Sequence, residues 1–224
     1  MPANETSSLL EYFILPVTPL QQNCTLVWNK ETLQGAVIDP GGDVPIILAK
    51  IKALGLNIEK ILVTHGHADH AGGVAALKAA LDVPIIGPHK ADQFWIDRIE
   101  SDGMMFGIGK CDFFTPDRWL EDGDQVEVGG MCFDVIHCPG HTPGHVVFYH
   151  APSQFIQLGD VLFCGSIGRT DFPRGNHDDL LHAIRHKLFP LGSETRFVPG
   201  HGPMSDFGHE RKTNPFVADH LFPA

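Results

Sequence analysis

The densest group of metal-binding side-chain types lies in the segment THGHADH, residues 64–70. In an extended chain His65 and His67 project to the same side, because side chains alternate with a period of two. Gly66 and the alanine that follows His67 are small enough to let the backbone fold closely round an ion. Asp69 and His70 begin the next turn and can face a second ion. Imidazole with carboxylate suits zinc, iron or manganese, so the segment predicts a metal centre and not an exposed histidine-rich loop.

Three further candidate ligands stand at the ends of predicted strands. His141 lies in the turn HCPGHTPGH, residues 137–145, and His201 lies in VPGHGP, residues 198–203. Asp160 ends the strand between them. Each has glycine or proline nearby, where a rigid sheet can present a side chain at a shared edge. A lone histidine in a turn is usually solvated, but three such residues in a chain with the 64–70 cluster point to ligands.

The ordered motifs H-x-H-x-D-H, P-G-H-T, L-G-D and P-G-H resemble the metallo-β-lactamase superfamily across essentially the whole chain. That resemblance implies an αββα sandwich and two divalent metal ions, with zinc expected first and iron or manganese as alternatives. It implies that the first ion is held by His65, His67 and His141. It implies that the second ion is held by Asp69, His70 and His201. Asp160 would bridge both ions.

Four shorter motifs are similar to those of the short bacterial type II glyoxalases. They are DPGG (39–42), TPDRW (115–119), GRTDFPRG (168–175) and NPF (214–216). This resemblance implies a hydroxyacylglutathione hydrolase that converts S-D-lactoylglutathione to D-lactate and glutathione. Two cations that share a carboxylate would also share a water whose pKa falls far enough to give hydroxide at neutral pH. Asp69 would orient that hydroxide and receive its proton, so it is the candidate catalytic residue.

Other residues are candidates for holding the substrate or the ligands. Four basic residues could contact the carboxylates of glutathione: Arg169, Arg174, Arg211 and Lys212. Asp39 ends an early strand and is a candidate acceptor that orients a ligand imidazole, with a turn or capping aspartate as the equal alternative. His145 is a second candidate of the same kind, or a structural residue. Phe106 and two methionines before it could line the substrate mouth or serve in ordinary packing.

Apolar periodicity indicates the elements that must position these residues. Strands are predicted at 13–17, 24–28, 34–39, 61–63, 83–86, 125–128, 132–137, 146–149, 155–158 and 196–198. Helices are predicted at 43–54, 75–81, 91–99 and 178–187, with Asp43 as the N-cap of the first and Gly55 at its end. Residues 103–119 lose any period and predict a long loop. Strands and then helices occur in both halves, which predicts an α+β, αββα four-layer sandwich as a single domain over 1–224.

Composition narrows the classes of partner. The net charge of −11, from 27 acidic and 16 basic residues, opposes binding to nucleic acid. No apolar run approaches the ~20 residues that cross a bilayer, and residues 1–11 lack the pattern of a secretory signal. Five cysteines without a C-x-x-C pair predict buried free thiols in a reducing compartment, hence the cytoplasm. The expected partner is a small-molecule thioester, and no pattern indicates an oligomeric state.

Rival functions share the scaffold. A persulfide dioxygenase would use one iron held by two histidines and one aspartate. A class B β-lactamase is disfavoured, since it would be expected to carry a signal peptide and usually lacks a histidine at the position of His70. A catalytically inactive metal-binding module is opposed by the presence of all seven candidate ligands.

Overall fold

Two mixed β-sheets lie at the centre of the part of the chain that the computed structural model describes, residues 9–222. The strands of the first sheet are β1 (Leu10–Val17), β2 (Gln22–Asn29), β3 (Gln34–Ile38), β4 (Asn57–Leu62) and β5 (Ile85–Ile86). They follow one another in chain order across the sheet. β1, β2 and β3 pair antiparallel, whereas β3, β4 and β5 run parallel. Residues 1–8, part of the segment predicted to lack a secretory signal, lie outside the described residues.

The second sheet is built from later strands, and a small hairpin lies beside it. The strands in chain order are β6 (Gln125–Val128), β7 (Met131–His137), β8 (Val146–His150), β9 (Phe155–Gly159), β10 (Leu162–Phe163), β11 (Ser166–Ile167), β12 (Arg196–Pro199) and β13 (Ser205–Asp206). The sheet has the order β13-β12-β9-β8-β7-β6, and β10 pairs only with β11. β12 runs parallel to β9, whereas the other pairs are antiparallel.

Successive strand residues pack into different apolar layers. In β2, Leu26 packs with the helices outside the first sheet, while Val27 packs between the two sheets. In β8, Phe148 lies between the sheets and Val147 lies against the helices outside the second sheet. This alternation follows from the period of two in a strand that is buried on both faces. Three apolar layers thus separate helix, sheet, sheet and helix, and the predicted αββα sandwich is confirmed.

Helices cover the outer face of each sheet. They are α1 (Val44–Leu54), α2 (Ala68–Ala71), α3 (Val74–Leu81), α4 (Gln93–Ile96), α5 (Ile99–Met105), α6 (His177–His182) and α7 (Phe207–Thr213). α6 continues as a π-helix over Ala183–Leu188, and a 3₁₀ turn, Lys90–Asp92, precedes α4. The predicted helix at 91–99 is therefore broken into shorter pieces. α5 also extends into the region 103–119 that was predicted as loop, and α7 was not predicted.

The caps at the two ends of α1 can be compared with those predicted from the sequence. α1 ends at Gly55, which adopts φ 68° as expected for a helix-terminating glycine. Asp43 stands at the N-terminal boundary but has φ 49°, and its side chain makes no capping hydrogen bond. Its carboxylate instead accepts the backbone N–H of Thr18 at 2.8 Å. Asp43 is therefore the N-cap residue as predicted, but its side chain does not cap the helix because it is already engaged by another loop.

Two expectations about location and thiols can be compared with the described residues. None of the described helices has the length and apolarity required to span a membrane. All five cysteines are free thiols. Cys132 and Cys164 are exposed, however, so the expectation of burial is wrong for these two.

Candidate metal centre

Loops from both sheets converge on one edge of the sandwich. In the first sheet, the chain leaves the carboxyl end of β3 at Asp39 and that of β4 at 63–70. In the second sheet, it leaves β9 at Asp160 and β12 at 200–203. Because β3 is parallel to β4 and β9 is parallel to β12, the ends within each pair meet. The backbone N–H of Asn23 donates to Gly200 O at 2.7 Å, which joins the two sheets at this edge.

Three histidines form the first group of ligand atoms. His67 Nδ1 lies 3.2 Å from His65 Nε2 and 2.9 Å from His141 Nε2. The three ligand atoms lie within 4.8 Å of one another, a spacing that could hold one metal ion. These are the side chains that the resemblance to the superfamily implied for a first ion, and they come from the loop after β4 and the β7–β8 turn.

The second group combines Asp69, His70 and His201, again within 4.8 Å. His201 Nε2 lies 3.1 Å from Asp69 Oδ2, and His70 Nε2 lies 3.7 Å from the same oxygen. Asp69 and His70 lie on α2, one turn after His67. His201 comes from the opposite sheet, and its Nδ1 donates to Leu20 O at 3.2 Å.

Asp160 lies between the two groups. Its Oδ1 is 3.2 Å from His70 Nε2, while its Oδ2 is 3.5 Å from His141 Nε2 and 3.8 Å from His201 Nε2. One carboxylate therefore contacts histidines of both groups, which is the position that a bridging ligand needs.

Burial keeps the histidines of the first group neutral. It lowers the pKa of His67 to about 3 and holds the pKa of His65 and His141 below the ordinary value. A neutral imidazole offers a lone pair to a cation, whereas a protonated one does not. This group is therefore in the protonation state that a metal ion requires.

The second group and Asp160 bring two carboxylates and two histidines into close contact. Burial disfavours the charged forms of His70 and Asp160. The carboxylates of Asp160 and Asp69 nevertheless raise the pKa of His70, and His70 holds the pKa of Asp160 well below its usual range. His70 Nε2 and Asp160 Oδ1 are buried and satisfy no hydrogen-bond geometry among the described residues. A divalent cation would balance the carboxylates and take up these unpaired atoms, so the residues fit a metal ion.

Asp39 forms buried hydrogen bonds that reach candidate ligands of both groups. Its Oδ1 accepts the Thr64 N–H at 2.7 Å, and its Oδ2 accepts the Thr64 hydroxyl at 2.6 Å and His70 Nδ1 at 2.9 Å. The Thr64 hydroxyl oxygen lies 3.1 Å from His65 Nδ1, which donates to it. Asp39, His65 and His70 also form a third close group. Since Asp39 is already engaged on both oxygens, this geometry favours its predicted role as an orienting acceptor.

His145 is fully buried behind the centre. Its ring stacks on His65 with centroids 4.6 Å apart, and its Nε2 accepts the backbone N–H of Asp160 at 3.0 Å. Burial holds the pKa of His145 well below the ordinary value, so this nitrogen remains an acceptor. His145 thus holds the backbone of Asp160 and belongs to none of the three close groups.

Asp92 is a residue that the sequence reading missed. It is completely buried, and its carboxylate accepts the N–H of Gly66 at 2.8 Å, the Thr142 hydroxyl at 2.8 Å and the N–H of Gly144 at 2.5 Å. Burial raises the pKa of Asp92 to about 6 despite these donors. An aspartate at the start of a predicted helix suggests only capping, so no local signal distinguishes it.

A cavity of about 500 Å³ opens onto the centre. His67, Asp69, His141, Asp160 and His201 form its metal-facing floor. The apolar residues that line it are Leu20, Ala68, Trp95, Phe106, Phe163, Ile167 and Phe172. Phe106 thus lines the cavity, whereas Met104 and Met105 are not among its lining residues.

The predicted glutathione-binding cations are mostly elsewhere. Arg169 lines the cavity, but its guanidinium pairs with Asp171 at 2.6 and 2.7 Å. Arg174 stacks on Phe94 and does not line the cavity. Arg211 and Lys212 lie on α7 and also do not line it. Arg211 is held by Asp219 at 2.9 Å, so the expectation that these three cations line the site is corrected.

Comparisons with known proteins agree over most of the chain. A sequence model of the metallo-beta-lactamase superfamily matches residues 17–201. Hydroxyacylglutathione hydrolase GloC of Haemophilus influenzae is 42% identical over 205 residues, which cover 91% of this chain and 96% of GloC.

Two solved structures are similar in fold and sequence. TTHA1623 in a di-iron-bound form has a TM-score of 0.83 and 38% identity, covering 92% of this chain and 100% of its own. BLEG-1 B3 metallo-beta-lactamase has a TM-score of 0.86 and 33% identity, covering 92% of this chain and 99% of its own.

Proposed function

The chain belongs to the metallo-beta-lactamase superfamily of metallo-hydrolases, and from that premise we propose that it hydrolyses thioesters with two divalent metal ions. The observation that carries the proposal is the position of Asp160. Its carboxylate contacts histidines of two separate ligand groups, which suits a bridge between two ions. Three ligands in each group plus a shared carboxylate and water would complete two coordination shells.

We propose zinc as the first candidate metal, with iron or manganese as alternatives. The candidate ligands are imidazoles and carboxylates, a set that accommodates all three metals. The similarity to a protein that has been crystallised in a di-iron-bound form keeps iron among the candidates.

Bound ions would activate water and polarise the substrate carbonyl. The chain supplies the remaining elements of the reaction. Asp69 lines the cavity, where we assign it to orient the attacking water and to receive its proton. Asp39 and Thr64 keep His65 and His70 in fixed orientations, and His145 holds the backbone of Asp160. Water adds to the carbonyl carbon, the carbon–sulfur bond breaks, and the thiol leaves with a proton.

For the substrate, we propose a glutathione conjugate such as S-D-lactoylglutathione, which would yield D-lactate and glutathione. The similarity to GloC supports this choice. We also propose that the reaction takes place in the cytoplasm, since five free thiols suit a reducing compartment.

The test is metal analysis together with steady-state assays on the same metal-loaded protein. We expect about two metal ions per chain and measurable hydrolysis of S-D-lactoylglutathione. A chromogenic β-lactam is assayed in parallel, because similarity to a B3 metallo-beta-lactamase favours it as the second candidate substrate class. Oxygen uptake with glutathione persulfide tests the dioxygenase alternative. Hydrolysis of the β-lactam alone, uptake of oxygen with one iron per chain, or no turnover of any thioester would overturn the proposal.

A further inference from the structure

The side chains that line the cavity indicate which substrates it can bind, beyond the thioester bond itself. Seven apolar residues line the cavity: Leu20, Ala68, Trp95, Phe106, Phe163, Ile167 and Phe172. Among the described lining residues, Arg169 is the only lysine or arginine. Its guanidinium is paired with Asp171 and stacks on the Phe172 ring at 4.0 Å, so the available positive charge is already partly compensated.

Glutathione carries two carboxylates, and burying them requires charged or hydrogen-bonding partners. The cavity provides one engaged cation for that purpose and a predominantly aromatic wall. The protein as a whole is negatively charged, with a net charge of −11. Apolar groups of a ligand gain free energy in such a cavity without any paired charge.

We infer, resting on the proposed thioester hydrolysis, that this cavity receives the acyl group of the thioester against its aromatic wall and favours acyl groups more apolar than D-lactoyl. The glutathione half of a conjugate then lies outside this wall and contributes little to recognition. Phe163 belongs to the β10–β11 hairpin and Phe106 follows α5, so the two rings come from separate segments that border the cavity. Apolar exposure continues beyond Phe106 at Met104 and Met105, which are 68% and 70% exposed.

The test uses acetyl, butyryl and hexanoyl thioesters of one small neutral thiol, N-acetylcysteamine. We expect kcat/KM to rise about fourfold for each methylene that the wall buries. Phe163→Ala should flatten this series, whereas Phe113→Ala, an exposed ring outside the cavity, should leave it unchanged. A flat series in the parent protein, or equal effects of both substitutions, would overturn the inference.

A binding measurement separates this inference from the proposed function. The S-methyl and S-hexyl thioethers of N-acetylcysteamine have no thioester carbonyl to attack, so calorimetry reports binding in the cavity alone. Tighter binding of the hexyl compound without thioester turnover would reject the hydrolase and keep the apolar cavity. Equal binding of the two thioethers would reject the cavity assignment whether or not thioesters are hydrolysed.

A separate observation concerns Asp92, which joins two loops that carry the first ligand group. Gly66 lies between His65 and His67, and its N–H donates to Asp92. Thr142 and Gly144 follow His141, and both also donate to Asp92. One buried carboxylate thus holds both loops from behind the ligands.

The glycines of both loops allow the segment around Asp92 to approach closely. A Cβ at Gly144 would lie 2.5 Å from Asp92 N and 2.7 Å from His89 O. A Cβ at Gly66 would lie 2.8 Å from Trp95 Cβ and 3.0 Å from Asp92 O. The small residue at 66 is therefore required by packing against this segment, which differs from the predicted reason, closeness to an ion.

We propose that Asp92 is a positioning residue for the first ligand group and has no comparable effect on the second. Asp92→Asn keeps the size of the side chain but replaces one acceptor oxygen by a donor, which would face an N–H or hydroxyl donor. We expect metal affinity at the first group to fall about 10- to 100-fold, as is typical when an outer partner of a metal site is removed.

The control is Glu210→Gln, which changes another completely buried carboxylate that accepts from Gly165 N, Ser205 and Asn214. Cobalt titration followed by absorption spectroscopy, with total metal analysis, counts the two sites in each variant. Loss of one cobalt site in Asp92→Asn alone supports the proposal. Retention of both sites, or equal loss from both groups, would show that Asp92 serves only general stability.

Discussion

At the residue scale, the centre depends on which nitrogen of each imidazole faces inward. Nε2 of His65, His70, His141 and His201 points to the centre, and Nδ1 of each is held by another group. His67 is the exception: it turns Nδ1 inward and leaves a buried Nε2 without a hydrogen bond among the described residues. Imidazole rings that are already held by hydrogen bonds lose little further conformational freedom when they bind a cation. This favours a pre-organised metal site.

Asp160→Ala should lower metal content at both groups, because this carboxylate contacts histidines of each. We expect bound metal to fall from about two ions per chain to well below one and turnover to be lost. Metal analysis after dialysis measures the effect. Asp171→Ala, which removes an exposed carboxylate near the cavity, should keep both ions. Two ions retained in Asp160→Ala would exclude the bridging role.

The stability of the chelated protein should depend on Asp92 in a defined pH window. Its folded-state pKa is raised to about 6, above an ordinary value near 4, so the folded state binds the proton more tightly. The resulting destabilisation is absent below about pH 4, grows as pH rises through 4 to 6, and is complete above 6. Denaturant unfolding of the parent and Asp92→Asn should show the parent losing about 3 kcal/mol relative to the variant across this window. A constant difference would contradict the shift.

At the element scale, short loops and capped helices place the ligands. The His141 turn is held by α6, since the backbone N–H of Asn176 donates to Gly140 O at 2.8 Å. The Asn176 side chain caps the same helix by accepting the N–H groups of Asp178 and Asp179. The start of α6 is thus tied to the loop that carries one ligand of the first group.

Asn176→Ala should cost about 1 kcal/mol of unfolding free energy, because the two N–H groups lose their acceptor. The bond from its backbone to Gly140 remains, so metal content should stay near two per chain. Urea unfolding and metal analysis together measure both outcomes. Asn176→Ser, which restores a capping oxygen, should recover most of the lost stability. No recovery in the serine variant would argue against a capping effect.

At the scale of the whole molecule, the ligands come from both sheets. His65, His67, Asp69 and His70 follow the first sheet, whereas His141, Asp160 and His201 follow strands of the second. A metal ion bound here would link the two halves of the sandwich. A metal ion that binds only the folded state stabilises that state by mass action, by about 2.7 kcal/mol at a free ion concentration 100 times Kd.

Chelation should therefore lower the melting temperature and abolish turnover, and added zinc, iron or manganese should restore both. Scanning calorimetry before chelation, after it and after reconstitution measures the change. The Asp160→Ala variant provides the control, since its melting temperature should respond little to chelation. A parent protein whose melting temperature and activity survive prolonged chelation would contradict metal-dependent function.

The sequence by itself determined the fold class and the nature of the ligands. Apolar periodicity marks strands such as β2, β7 and β8 because neighbouring residues must enter separate cores. The candidate ligands at 64–70 can be recognised in the sequence because they lie close together in the chain. Side-chain capping by Asp43 and the helices α5 and α7 differ from the prediction, since competing contacts and packing outweighed local preference.

Only the tertiary structure decided which distant residues meet. Asp92 joins Gly66 to Gly144 across separations of 26 and 52 residues, and no local pattern encodes such contacts. Charge alone suggested Arg211 as a substrate contact, but its ion pair with Asp219 and the position of α7 keep it from the cavity. Ligand types are a local property of the chain, whereas the partners that orient them and the walls that select a substrate depend on long-range packing.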